Sequence, residues 1–266
     1  MKIVVAGASR GIGAAICKRL ESRGHELWSL ARNPAERERS TRCDVSVWKE
    51  VARASDRVAE SWPHVDAVLC VAAIQGAIGP AMAADPAKWS ATIRVNLDGT
   101  YFVIRAFWEL LRRAPRRGKI VCFSGGGATK ARPNFSAYAA SKTGVIRLVE
   151  TLAEEWKDVP VDINAIAPGT ITTDMTRETA ASGPEVVGAA EYEQATKQIG
   201  GAGQPIDRAL DLVEWLLSEK SDGISGRLLS AQWDPWQTLA TKRDALRATD
   251  VFTLRRIVPE DRNLTL

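Results

Sequence analysis

Lys2-Ile3-Val4-Val5-Ala6 runs straight into Gly7-Ala8-Ser9-Arg10-Gly11-Ile12-Gly13 and then into Ala14-Ala15-Ile16-Cys17-Lys18-Arg19-Leu20. A β-branched run, a turn with three glycines and a stretch with apolar residues at three-and-four spacing read as strand, tight turn and helix. Glycines in such a turn let the backbone approach a pyrophosphate, and the helix N-terminus holds the anion with its N–H groups and positive dipole end. The spacing here is G-x-x-x-G-x-G, not the commoner G-x-G-x-x-G.

Outward from this unit, short apolar runs alternate with longer helical patterns, which predicts βαβ units and a parallel sheet covered on both faces. Strands are expected at Lys2–Ala6, Glu26–Ala31, Ser40–Asp44, Asp66–Ala72, Lys119–Ser124, Val161–Ala167 and Arg227–Ser230. Helices are expected at about 11–23, 47–62, 86–113, 135–157 and 207–218. The third should break near Val95–Gly99, because Asn96 and Gly99 are poor helix-interior residues. The fold class is therefore α/β, a doubly wound parallel sheet of about seven strands. Residues 1–231 form the expected domain, with 172–204 a mobile helical excursion above the sheet. Residues 232–266, with Trp233, Trp236, Phe252, Arg255 and Arg256, form an appendage expected to cover the substrate cleft or make a subunit contact.

Composition narrows the class. Of 266 residues, 45% are hydrophobic and 26% charged, ordinary values that exclude disordered, collagenous and disulfide-scaffold chains. A net charge of +4 is too slight to demand nucleic acid or a membrane surface as a partner. Cys17, Cys43, Cys70 and Cys122 form no Cys-x-x-Cys pair and sit in apolar stretches, so a reducing compartment is expected. No secretory apolar region precedes the glycine turn, so a cytoplasmic location is expected. The longest uncharged run, Ala67–Ala84, is punctuated by Gln75, Gly76, Gly79 and Pro80 and reads as a strand and loop, not a membrane span. His25 and His64 have no partners at ligand spacing, so no metal site is expected.

Tyr138-x-x-x-Lys142 falls in a helical pattern, which puts both side chains on one face a turn apart. A phenol titrates at about 10, and a nearby ammonium favours its phenolate, making Tyr138 a usable acid or base.

The glycine turn, Asn96 at mid-chain, Ser124-Gly125 after the fifth strand, then Tyr138 and Lys142, resemble in type and order the short-chain dehydrogenase/reductase family in its compact single-domain branch. The resemblance runs from Lys2 to about Ser230 and implies a Rossmann sheet, a nicotinamide dinucleotide and a homodimer or homotetramer. It implies that Gly7, Ser9, Arg10, Gly11, Ile12 and Gly13 form the cofactor loop and that Asp44 and Val45 meet the adenine edge. Tyr138 becomes the acid and Lys142 its partner, which also anchors the nicotinamide ribose; Asn96 holds a water linking Lys142 to solvent. Pro168, Gly169, Ile171 and Thr173 resemble the loop around the nicotinamide carboxamide.

Two departures stand out. Cys70-Val71-Ala72-Ala73 replaces the family's Asn-Asn-Ala-Gly, with Ala72 expected to keep a backbone contact to the ribose. The family's serine, thirteen residues before the tyrosine, is Gly125 here, with Ser124 one step earlier and by strand alternation on the opposite face. Three accounts are open: the glycine run turns Ser124 back inward, the Gly125 N–H or Thr129 takes over, or catalysis is lost.

The second strand ends Ala31-Arg32 with no acid to take a ribose 2′-OH, and Arg10 lies in the glycine loop, so NADP(H) is expected, with both guanidinium groups meeting at one phosphate. The reading is an NADP(H)-dependent oxidoreductase interconverting a ketone and a secondary alcohol of small-molecule size. Ser182–Gln204, Trp233 and Trp236 are expected to shape the pocket. The alternatives are a cofactor-recycling epimerase or dehydratase on a sugar-like substrate, and a non-catalytic NADP-binding module.

Overall fold

The computed structural model describes residues 1–34 and 37–264; the last two residues of the predicted tail, Thr265 and Leu266, lie outside the described residues. Seven strands form one sheet: β1 (Lys2–Ala6), β2 (Glu26–Ala31), β3 (Ser40–Arg42), β4 (Ala67–Cys70), β5 (Gly118–Phe123), β6 (Val161–Ala167) and β7 (Leu228–Ser230). Their spatial order is β3-β2-β1-β4-β5-β6-β7, and every neighbouring pair is parallel. The chain leaves β1 in one direction and returns past it to β4, so the order reverses between these strands. A crevice opens at such a switch point, outside the carboxyl ends of the strands.

The helices are α1 (Gly11–Ser22), α2 (Trp48–Ser61), α3 (Pro86–Ile93), α4 (Gly99–Arg112), α5 (Ser136–Glu155), α6 (Asp174–Ala181), α7 (Pro184–Val187), α8 (Ala189–Lys197), α9 (Asp207–Leu217) and α10 (Arg243–Arg247). On one face of the sheet Val51, Val58, Val103, Phe107, Val145 and Val149 of α2, α4 and α5 cover Val4, Leu30, Val68 and Ile120. On the other, Ile16 and Leu20 of α1 and Leu212, Val213 and Leu216 of α9 cover Ile3, Val5, Leu69 and Val121. β1 is an apolar run after Lys2 and falls where its sequence predicts it. β6 does so too, although buried Asp162 and Asn164, bonded to Lys119 and the Ile224 carbonyl, interrupt its apolar residues. Each fully buried Leu or Ile contributes roughly 1.5–3 kcal/mol of transfer free energy.

The expected helix break is corrected. The helix from Pro86 does not break: α3 passes into α4 through one π turn at Arg94–Asp98, with Gly99 still helical at φ −60°. The wide turn absorbs one extra residue instead of ending the helix, a device common at functional sites. Helix spans the excursion at 172–204, as α6, α7 and α8. The tail is no detached appendage, because Trp236, Leu239 and Leu246 are buried in the core with α9. Arg227 binds the tail through the carbonyls of Leu246, Thr249 and Val251, and Leu228 N donates to Phe252 O at 2.8 Å, so the tail closes the β7 edge. No helix among the described residues is long and apolar enough to cross a membrane.

Candidate active site

A cavity of about 1020 Å³ runs along the carboxyl ends of β1 to β6. A pocket for one drug-sized ligand measures roughly 300–1,000 Å³, so the cleft has room for a large ligand and a smaller neighbour. Gly7, Ser9, Arg10, Gly11, Ile12 and Gly13 line one end. Gly7 has φ +96°, and a Cβ there would overlap the Ala72 backbone, while a Cβ at Gly13 would overlap the Gly7 carbonyl. Main chain from β1, α1 and the β4 exit thus meets at distances only glycine allows. No side chain caps α1, which leaves its first-turn N–H groups open to the cleft. Ala72 lines this wall, but its N–H is spent on the Ala6 carbonyl at 2.9 Å, leaving its carbonyl for a ligand.

At the far end of this half, Asp44 and Val45 border the cleft. The Asp44 Oδ1 accepts from Ser46 N and Oγ at 2.9 and 2.6 Å, which shapes the turn into α2. Arg10 and Arg32 both line the cleft, and the Arg10 guanidinium pairs with Asp174, the first residue of α6, at 3.3 Å. Arg32 also opens onto an adjoining pocket that it shares with the carboxylates Asp44 and Glu50 and with Arg42, Arg53 and Arg57. Sequence reasoning missed those three; Arg53 and Arg57, four apart on α2, carried a readable signal.

Tyr138 and Lys142 are both buried on α5 and line the middle of the cleft. Lys142 Nζ donates to the Phe123 carbonyl at 2.7 Å. Burial pushes its ammonium down to about 8, with the neighbouring thiols of Cys122 and Cys70 partly opposing the shift. Burial raises the Tyr138 phenol above its ordinary value, and the opposing cation is Arg132. The ammonium is turned to the Phe123 carbonyl and sits 5.8 Å from the centre of the phenol ring.

Asn96 is fully buried in the π turn and does not line the cleft. Its Oδ1 accepts from Ile74 N at 2.8 Å, and its Nδ2 donates to Ile74 O at 2.9 Å and to Ser141 Oγ at 3.0 Å. Ser141 in turn donates to Tyr138 O at 2.7 Å, so Asn96 ties the loop after β4 to the helix that carries Tyr138.

Ser124 borders the cleft, yet its hydroxyl is buried and has no partner among the described residues. Gly125 lies against the phenol: a Cβ there would stand 3.1 Å from Tyr138 Cζ and closer still to its hydroxyl. The Tyr138 ring thus occupies the space a serine at 125 would fill. Thr129 also borders the cleft.

Pro168, Gly169, Ile171 and Thr173 line the wall after β6. Gln204 braces this loop by accepting from Thr170 N at 2.9 Å, and Thr173 N donates to Thr176 Oγ1 at 3.2 Å. From 182–204 the cleft takes Glu191, Gln194, Ala195 and Gln198. Trp233 and Trp236 are corrected out of the pocket: Trp233 is 81% exposed, and Trp236 packs 6.0 Å from the Trp215 ring. Arg255 is taken by Asp250 and Asp261, away from the cleft.

Two further cleft groups escaped the sequence reading. Gln75 is buried, its Nε2 donates to Thr179 Oγ1 of α6 at 2.8 Å, and its Oε1 has no partner among the described residues. Arg132 holds Glu191 of α8 through Nε at 3.0 Å and Nη2 at 2.7 Å. A lone glutamine in an apolar run was a signal; a pairing across 59 residues was not. Among the described residues no three His, Cys, Asp or Glu side chains cluster as a metal site.

Residues 7–232 match a family model described as enoyl-(acyl carrier protein) reductase. The chain is 30% identical over 247 residues to versicolorin reductase stcU of Emericella nidulans, covering 85% of this chain and 92% of that one. It is 30% identical over 229 residues to the 3-oxoacyl-[acyl-carrier-protein] reductase MabA of Mycobacterium tuberculosis, covering 85% and 89%. To the short chain dehydrogenase mpl6 of Monascus purpureus it is 31% identical, a match taking in 77% of this chain and 64% of that protein. Among solved structures, the ligand-free aldohexose dehydrogenase of Thermoplasma acidophilum superposes with a TM-score of 0.77 at 26% identity, over 86% of this chain and 91% of that one. The chain belongs to the short-chain dehydrogenase/reductase family of oxidoreductases. Members of that family work with NAD or NADP on small molecules.

Proposed function

We propose that this protein is an NADP(H)-dependent oxidoreductase that interconverts a ketone and a secondary alcohol, with Tyr138 as the acid and base. The observation that carries the reading is the placement of Tyr138 and Lys142, buried side by side on α5, midway along a cleft whose other end is the glycine turn. The backbone cradle at Gly7 and Gly13 and the uncapped start of α1 fit a pyrophosphate. When bound, the nicotinamide supplies or takes the hydride.

The chain's own residues do the rest. Tyr138, its phenol raised by burial, stays protonated at neutral pH and donates its proton to an oxygen becoming an alkoxide. Lys142 keeps two N–H bonds for a ligand after giving one to Phe123 O. Asn96 and Ser141 fix the position of α5 against the loop after β4. Arg32, with Arg42 beside it, offers the cations a 2′-phosphate needs, and no acid stands at the end of β2. Two relatives named as reductases support the direction of the chemistry.

The test follows reduced-nicotinamide absorbance with NADPH or NADH over a panel of ketones, keto-sugars and β-ketoacyl thioesters. NADPH should be preferred at least about tenfold, Arg32→Ala should erase that preference, and Tyr138→Phe should lower turnover about 10²- to 10⁴-fold while keeping cofactor binding. Equal turnover by the phenylalanine variant, or a preference for NADH, would overturn the reading. Gly125 favours a second reading, a module that binds the dinucleotide without turnover; it predicts binding and no oxidation with any carbonyl.

A further inference from the structure

The wall facing Tyr138 carries a guanidinium whose free edge the chain's own contacts leave unused. Arg132 spends Nε and Nη2 on the two carboxylate oxygens of Glu191. Its planar group stacks 3.8 Å from the centre of the Phe135 ring. Both ends are thereby fixed, and the side chain is only 19% exposed. The remaining nitrogen, Nη1, has no partner among the described residues and stands beside Gly126, where a Cβ would lie 3.6 Å from it. Gly126 follows Gly125, whose missing side chain leaves its space to the Tyr138 ring. The proton donor and the free guanidinium edge are thus presented over consecutive glycines.

We infer that Arg132 determines specificity by holding an anionic group of the substrate, a carboxylate or phosphate, through Nη1 next to the proton donor. The inference rests on the reading of Tyr138 as the acid and deepens it by naming the substrate as an anionic carbonyl compound. Glu191 does not cancel the site, because both of its oxygens lie along the opposite edge of the guanidinium. Lys130 lines the same wall, so Lys130, Arg132 and Glu191 together leave it positive. Arg132 is also the cation that pulls the Tyr138 phenol downward, which places its charge where negative charge develops on the substrate oxygen. An arginine fork already locked by stacking and a bidentate pair loses little freedom when it takes a carboxylate.

The experiment uses the full chain saturated with NADP⁺, which permits binding without turnover. The probes are 2-oxobutanoate, acetoacetate and levulinate, each beside its methyl ester, with affinity read by calorimetry. At least one acid should bind about 10- to 100-fold more tightly than its ester, the effect of a hydrogen bond to a charged group. Arg132→Gln should erase the preference while leaving NADP⁺ affinity unchanged, and Arg132→Lys should retain part of it. Glu191→Gln should tighten acid binding, because the internal competitor for the guanidinium is removed; a purely structural ion pair predicts unchanged or weaker binding. Thermal unfolding of each variant separates loss of binding from loss of fold, and the paired Arg132→Gln, Glu191→Gln variant avoids stranding a carboxylate.

Equal binding of acids and esters, no binding of any probe, or a preference that survives Arg132→Gln overturns the inference. An acid preference that depends on Arg132, in a protein that oxidises NADPH with no carbonyl, sustains Arg132 as the anion-holding group and overturns the reductase reading together with the carbonyl substrate. Turnover of neutral ketones with no acid preference does the reverse.

Discussion

The two ends of the cleft are built by different means. Around the glycine turn the surface is main chain: Gly7, Gly13 and the Ala72 backbone meet with no room for a Cβ, and α1 presents bare N–H groups. Around Tyr138 it is side chain: Arg132 clasps Glu191 and Gln75 reaches Thr179, while Asn96 braces the wall from behind through Ile74 and Ser141. A surface of main chain offers N–H and C=O groups whatever the side chains are, which suits the pyrophosphate proposed for it. Side chains are free to diverge, and this is where the chain departs from the family, at Gly125 above all. The contrast teaches that the two ends respond to different substitutions: the first to any added Cβ, the second to the identity of particular side chains.

The comparison breaks most sharply at Gly13. Gly13→Val drives a branched side chain into the Gly7 carbonyl, so dinucleotide affinity should fall at least about 100-fold, or the chain should fail to fold. Gly200→Ala is the matched control, since a Cβ there meets open space; calorimetric titration with NADP⁺ and thermal unfolding read both. If Gly13→Val binds normally, the backbone cradle is not the cofactor site.

At the other end, restoring the family's serine should harm the enzyme. Gly125→Ser pushes the Tyr138 ring aside, and a misplacement of about 1 Å costs about 10²-fold in rate. Cofactor affinity should stay near the original value. A rise in kcat/KM would mean that the ring moves freely and that the missing hydroxyl was the deficit.

The smallest effect is on pH. Lys142 titrates at about 8, so kcat/KM for reduction should fall as pH rises through that value and the cationic donor is lost. Its effect on stability has the opposite sign. The folded value lies below that of the unfolded chain, so between about 8 and the ordinary lysine value the unfolded state binds more protons, and the Lys142 contribution to stability increases with pH. A pH-rate profile beside urea unfolding at pH 7 and 9 checks both signs; a flat profile across pH 8 would remove Lys142 from the proton chemistry.

Local pattern made much of the molecule legible. β1, β2 and β6 begin and end where the sequence places them, although β2 carries a buried Ser29 and β6 a buried Asp162 and Asn164, the last two held by hydrogen bonds to Lys119 and the Ile224 carbonyl. Tyr138 and Lys142 were readable because four residues along a helix make neighbours whatever surrounds them. The break expected at Asn96 and Gly99 did not occur, because Asn96 finds partners on Ile74 and Ser141 that propensity does not count. Trp236 was assigned to the pocket from its position after β7, and the core claimed it instead.

By itself, then, the sequence determined the order of strands and helices that a doubly wound sheet needs, the glycine turn and the pairing of Tyr138 with Lys142 on one helix face, each set by local pattern. Only the tertiary structure decided that Arg10 pairs with Asp174, that the Tyr138 ring fills the gap at Gly125, and that Arg132 faces it with one edge free. The first two of those contacts join residues 164 and 13 positions apart. The packing that selects them is a property of the assembled layers and of no single segment.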